Sequence, residues 1–151
     1  MLTDDGLRVI EYNARFGDPE TQALLPLVDE NLVEVLAAAA AGTLGPGRIA
    51  MRPLSAVTVV AAAEGYPGAP RSGGVLRGLD RLDDGVQCFH AGTQAEGSEF
   101  TVSGGRVLAI TAVAADVDAA RALVYANLEK IAFDGMWYRR DIALQPAEVS
   151  L

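Results

Sequence analysis

The sequence predicts an α+β fold with a mainly antiparallel sheet. Two observations lead there. Four runs of strand composition occupy residues 55–63, 86–90, 99–102 and 106–114, the first a buried valine and alanine run. Helical patterns flank them: a stretch with five consecutive alanines on one side, and Val117, Ala120, Leu123, Val124, Leu128 and Ile131 at helical spacing on the other.

Taken in order, Asp4-Asp5-Gly6 is a turn signal. Residues 7–13 after it mix β-branched and polar side chains with partial alternation and read as a further strand. Beyond Gly17, Asp18-Pro19-Glu20 is a helix start: Asp caps, Pro suits the first helical position, and Glu favours the positive first turn. Asp29 or Asn31 begins a second helix through Leu32, Val35 and Leu36 into the alanines, stopped at Gly42. Residues 43–53 hold two glycines and two prolines and read as a connector, so a domain boundary falls there. Gly65-Tyr66-Pro67-Gly68 ends the first long strand as a turn. Gly104-Gly105 reads as a hairpin between the last two strands, and Asp116 caps the final helix.

A chain of 151 residues fits one domain, or the end of one plus a small complete one. No apolar stretch is long enough to cross a bilayer and no secretory signal opens the sequence, so a cytoplasmic protein with no membrane partner is expected. The net charge of −8, with scattered basic residues, excludes nucleic acid as a partner and leaves small anions. Eleven of the twelve basic residues are arginine, and Lys130 is the sole lysine, so any catalytic lysine lies elsewhere. Cys88 has no internal disulfide partner and reads as a core residue.

On a strand, Glu11 and Asn13 emerge on one face and present oxygens to one hard cation. Magnesium suits such a pair because it keeps waters and takes substrate phosphates as its other ligands. Arg15 falls on that face too, able to hold a phosphate or carboxylate, and the helix start after Gly17 offers N–H groups to an anion. A strand with solvated polar residues running into a capped helix explains the same spacing without any ligand. His90, the only histidine, closes a strand and reads as a structural or substrate-lining residue rather than a general base. Trp137-Tyr138-Arg139-Arg140 reads as a docked C-terminal segment with solvated arginines.

Residues 11–22, EYNARFGDPETQ, resemble the signature of the phosphoribosylamine–glycine ligases, members of the ATP-grasp superfamily. The likeness continues in Ala63-Glu64-Gly65-Tyr66-Pro67-Gly68, Phe89-His90-Ala91-Gly92-Thr93, Gly104-Gly105-Arg106-Val107-Leu108 and Phe133-Asp134-Gly135-Met136. Arg71 stands where the family often carries lysine, and Ala143 where glycine is usual. The resemblance implies the end of an ATP-grasp domain over residues 1–47 and a C-terminal ligase domain over residues 48–151. It implies that ATP phosphorylates glycine and that the amine of 5-phosphoribosylamine attacks the glycyl phosphate, releasing ADP and phosphate. Glu11 and Asn13 would ligate Mg2+ or Mn2+ at the ATP phosphates, and Arg15 would stabilise the transferred group. Asp18, Pro19 and Glu20, with Gly92 and Thr93, would line the substrate pocket. The residues for adenine and ribose phosphate would lie in a missing N-terminal part, leaving this chain inactive alone. Another ATP-grasp carboxylate–amine ligase, or a non-catalytic module that binds an anion or a partner, are the alternatives.

Overall fold

Residues 1–12 and 14–144 are described by a computed structural model. Strands β1 (Leu2–Thr3) and β2 (Gly6–Leu7) form a small hairpin over Asp4-Asp5, with Gly6 at φ +96°. The strand expected over residues 7–13 ends at Leu7. Extended backbone persists as a strand only where a neighbour takes its N–H and C=O groups; Arg8 still exchanges hydrogen bonds with Met1, and among the described residues no strand flanks 9–12. Val9, Ile10 and Tyr12 stand 69%, 72% and 87% exposed.

Helix α1 (Glu20–Leu24) is short because Pro26, lacking an N–H, turns the chain into a 3-10 stretch, Leu25–Leu27. Helix α2 (Leu32–Ala40) follows Asn31 and ends at Gly42, whose φ of +70° lets the Gly42 and Thr43 amides bond back to Ala39 and Ala38. The connector is not a free tether. It returns along the α1–α2 turn, where the Asp29 amide donates to Ala50 O and the Arg52 amide to Leu27 O.

The central sheet has the order β3-β7-β4, all antiparallel: β3 (Ser55–Ala62), β4 (Gln87–His90) and β7 (Arg106–Ala114). Alternation along β3 turns Val57, Val59 and Ala61 to one face, where they meet Ala120, Val124 and Leu128 of helix α3 (Val117–Leu128) in the core. The opposite face carries Thr58 and Val60 and receives α1. Thr111 is fully buried there, its hydroxyl 2.7 Å from that of Thr58. Asp116 caps α3 as expected, accepting the Ala119 amide at 2.8 Å.

Gly104-Gly105 does not form the expected hairpin. The turn lies one strand earlier, at Gly97-Ser98, between β5 (Thr93–Glu96) and β6 (Glu99–Val102). Residues 87–96 and 99–111 are thus the two arms of one long ribbon, kinked between β4–β7 and β5–β6. The sequence hid β5 because Thr93, Gln94 and Glu96 lack an apolar face. The glycines serve the kink: a β-carbon on Gly92 would sit 2.7 Å from the Gly104 Cα.

Asn127, fully buried on α3, accepts the Asp83 amide at 2.8 Å and donates to the Asp83 carboxylate and to Leu123 O. Lys130 closes the group with an ion pair to Asp83 at 2.6 Å. The segment after residue 133 docks as expected: Trp137 Nε1 donates to Ala63 O, Tyr125 OH to Arg139 O, and Arg121 to Ile142 O. Cys88 packs partly buried against the core, and that burial pushes its thiol up to about 11. Among the described residues no helix is long and apolar enough to cross a membrane.

Two outcomes follow from these contacts. Gly78 has φ +81°, and a β-carbon there would collide with Lys130 O, so Gly78→Ala is expected to cost more than ~2 kcal/mol, read from the urea midpoint. The Asp83 carboxyl is held below its ordinary range by hydrogen bonds from Lys130 and then Asn127, and that of Asp141 by Arg139. A carboxyl depressed in the folded state stabilises fully above its unfolded value and loses that contribution as pH falls through the lower folded one. Tm is therefore expected to drop as pH goes below about 4, and less steeply in Asp83→Asn.

Candidate functional site

The polar segment that follows β2 enters the sheet's open face at Gly17. Its carbonyl accepts both the amide of Thr21, at 3.0 Å, and the Thr21 hydroxyl, which fixes the first turn of α1. The Glu20 side chain folds back over Gly17 and leaves no room for a β-carbon there. Pro19 takes the position flanking α1, not the first helical one.

Asp18 does not cap the helix as the sequence led us to expect. Arg106 donates from Nη1 to the Asp18 carbonyl at 2.8 Å and from Nη2 to its Oδ2 at 2.9 Å. The other carboxylate oxygen accepts Gln22 Nε2 at 3.0 Å. A charge-assisted, two-point guanidinium contact outcompetes a neutral amide for the carboxylate. Asp18 is therefore the point where the segment is tied to the sheet.

A bulge delivers Arg106 to that point. Along β7 the partner of Ala61 is Leu108 and that of Ala62 is Arg106, so Val107 is an extra residue. An offset of one residue reverses which face a side chain occupies. Arg106 consequently shares the face of Thr58, Val60 and Ala62, on which α1 lies, instead of the buried face of Leu108.

Gly92 and Thr93 sit just across the ribbon. The Gly92 amide donates to Arg106 O at 2.8 Å, and Thr93 Oγ1 lies 2.9 Å from Nδ1 of His90. His90 leans on Phe100 with ring centroids 4.4 Å apart. Together with Phe89 it faces Gly17, Asp18, Thr21 and Gln22 across a cleft of about 390 Å³. Gln22 Oε1 is buried at this cleft and finds no partner among the described residues.

The structure thus brings Asp18, Pro19 and Glu20 next to the ribbon that carries Gly92 and Thr93. It does not gather the other predicted residues. Glu11 is exposed, and neither it nor Arg15 lies in a strand. Asn13 lies outside the described residues. Arg15 is exposed, its Nη1 donating to Phe16 O at 3.1 Å.

Among the described residues no group of three or more His, Cys, Asp or Glu side chains converges on a metal position. The donor chemistry at Glu11 nevertheless fits a hard divalent cation, which takes few protein oxygens and completes its shell with water and phosphate. Sequence reasoning missed Arg106 and Gln22 as members of the site. Arg106 carries no local signal, since its partner lies 88 residues away.

Residues 56–145 match the family model described as "Phosphoribosylglycinamide synthetase, C domain". The chain belongs to this family. It is 43% identical over 95% of its length to the phosphoribosylamine–glycine ligase of Caldanaerobacter subterraneus subsp. tengcongensis, and 46% identical over 96% to that of Mesorhizobium japonicum. In both cases it covers 34% of the relative, so the chain spans about a third of their length. A crystal structure of the phosphoribosylamine–glycine ligase of Thermotoga maritima superposes with a TM-score of 0.76 at 35% identity, covering 94% of this chain and 35% of that one. The mixed α/β fold with mainly antiparallel sheets is that of the phosphoribosylglycinamide synthetase neighbour.

Gly92 supplies a direct check on the close approach of the ribbon's two arms. Gly92→Ala would press its methyl on Gly104 Cα and on Arg106 O, at 2.7 and 2.8 Å. A loss of roughly 1–3 kcal/mol in chemical denaturation is expected, as for other overpacked sites, with the His90–Thr93 hydrogen bond disturbed in the NMR spectrum of the imidazole.

Proposed function

We propose that this chain works as the C-terminal part of a phosphoribosylamine–glycine ligase of de novo purine synthesis. The reading is supported by the family match together with one structural observation: the EYNARFGDPETQ segment is clamped, through Asp18 and Arg106, onto the matched domain. Residues 1–47 would close an ATP-grasp domain supplied mainly by an N-terminal part, and residues 48–151 would form the C-terminal ligase domain. The cytoplasm is the site of action this reading implies.

In this reading glycine, 5-phosphoribosylamine and ATP are the substrates. Glu11 and Asn13 would contribute oxygens to Mg2+ or Mn2+, which supplies charge neutralisation at the ATP phosphates when bound. Arg15, exposed and donating to the neighbouring Phe16 carbonyl, would offer its guanidinium to the phosphoryl group passing to the glycine carboxylate. The amine of phosphoribosylamine then attacks the acyl phosphate, forming the amide bond and releasing phosphate. Asp18 acts by holding the segment, because both its oxygens are engaged within the chain. Pro19, Glu20, Gly92 and Thr93 would line the substrate pocket in this reading.

The test is reconstitution with a separately produced N-terminal part of a phosphoribosylamine–glycine ligase. ADP formation that requires both glycine and phosphoribosylamine is expected, with Arg15→Ala lowering turnover by about 10²-fold or more. Inactivity from two folded, associated parts would leave only a binding role. Activity that needs glycine but not phosphoribosylamine would assign the chain to a different ATP-grasp ligase.

A further inference from the structure

We infer that Arg106 is a positioning residue for the ligase reaction, acting through Asp18 on the segment that carries Arg15. The inference rests on the proposed function above and adds to it a residue outside the EYNARFGDPETQ segment.

Three observations carry it. First, Arg106 makes two separate hydrogen bonds to one residue, one to the Asp18 carbonyl and one to its carboxylate, at 2.8 and 2.9 Å. A backbone contact and a side-chain contact together fix both the position of the chain and the rotamer of Asp18. Second, the bulge at Val107 breaks the β3–β7 register at the one place that turns Arg106 toward α1. A regular ladder would pair Ala62 with Val107 and direct Arg106 to the other face. Third, the order set by Arg106 propagates. With Asp18 Oδ2 engaged by the guanidinium, Oδ1 receives Gln22 Nε2, and this orients the Gln22 amide so that its oxygen stays buried without a partner among the described residues.

The distance in sequence explains why the device is needed. Among the described residues Glu11, Tyr12, Ala14, Arg15 and Phe16 lie outside any ladder, so their geometry is inherited from where the chain is next anchored. That anchor is the pair of Gly17, tied to Thr21, and Asp18, tied to Arg106. Arg15 stands three residues before Asp18, so a slack anchor would widen the range of guanidinium positions sampled. Loss of orientation lowers the rate of the chemical step more than it lowers binding.

The experiment has two arms, both using Arg106→Gln and Arg106→Lys. On this chain alone, hydrogen exchange at the Thr21 and Gln22 amides is expected to speed up about tenfold or more in Arg106→Gln, with β7 amides such as Ile110 unchanged as the control for folding. In the reconstituted ligase, kcat is expected to fall about tenfold or more in Arg106→Gln, with KM for ATP changed less than about threefold. Arg106→Lys, which keeps the charge but not the two-point contact, should recover only part of kcat. Faster exchange with unchanged kcat would make the contact merely structural and overturn the inference. So would unchanged exchange, or a loss confined to KM. An inactive wild-type reconstitution would instead overturn the ligase reading, and the inference with it.

Discussion

β7 is hydrogen-bonded along both edges and covered on both faces, and β3, β4, α1 and α3 are positioned on it. β3 and β4 take its backbone groups on either side, α3 covers one face and α1 the other. Val107, Leu108, Ile110, Thr111 and Ala112 are all essentially inaccessible. A strand in that position cannot shift register without moving two ladders and two helices, so a single bulge within it is a fixed point of the fold. From that point Arg106 reaches Asp18.

Close backbone approach is the second constraint. The kinked ribbon of β4–β7 and β5–β6 crosses itself at Gly92 and Gly104, where side chains would separate the strands. The crossing brings His90 and Thr93 to the end of the sheet facing Gly17 and Gln22. Glycine here is required by space between backbones, a different need from the turn-forming one for which paired glycines are usually read.

The N-terminal segment and the sheet domain are stabilised in different ways. Around the sheet, the buried Asn127 is satisfied within the chain by Asp83 and Leu123. The N-terminal segment by contrast exposes Leu7, Val9, Ile10, Tyr12 and Phe16, and its described residues after Arg8 belong to no ladder. Apolar, β-branched residues in a stretch without strand partners make a sequence whose conformation depends on what lies beside it. The clamp at Asp18 limits how far that freedom extends into α1.

The sequence by itself determined the α+β class, the long strands 55–62 and 106–114, the Asp116 cap and the helix it opens, because each rests on local periodicity and local hydrogen bonding. It also identified EYNARFGDPETQ as the segment of functional interest, through likeness rather than through physics. What only the tertiary structure decided is what depends on partners distant in the chain. The strand pattern that begins at residue 7 goes unrealised over residues 9–12, where no neighbouring strand takes the backbone groups among the described residues. Gly104-Gly105 marks a crossing with Gly92, not a hairpin, because the contact that explains it is twelve residues upstream. Asp18, a plausible cap from its position before Pro19 and Glu20, belongs instead to Arg106, since a guanidinium brought across 88 residues by a bulge binds a carboxylate more strongly than a nearby amide does.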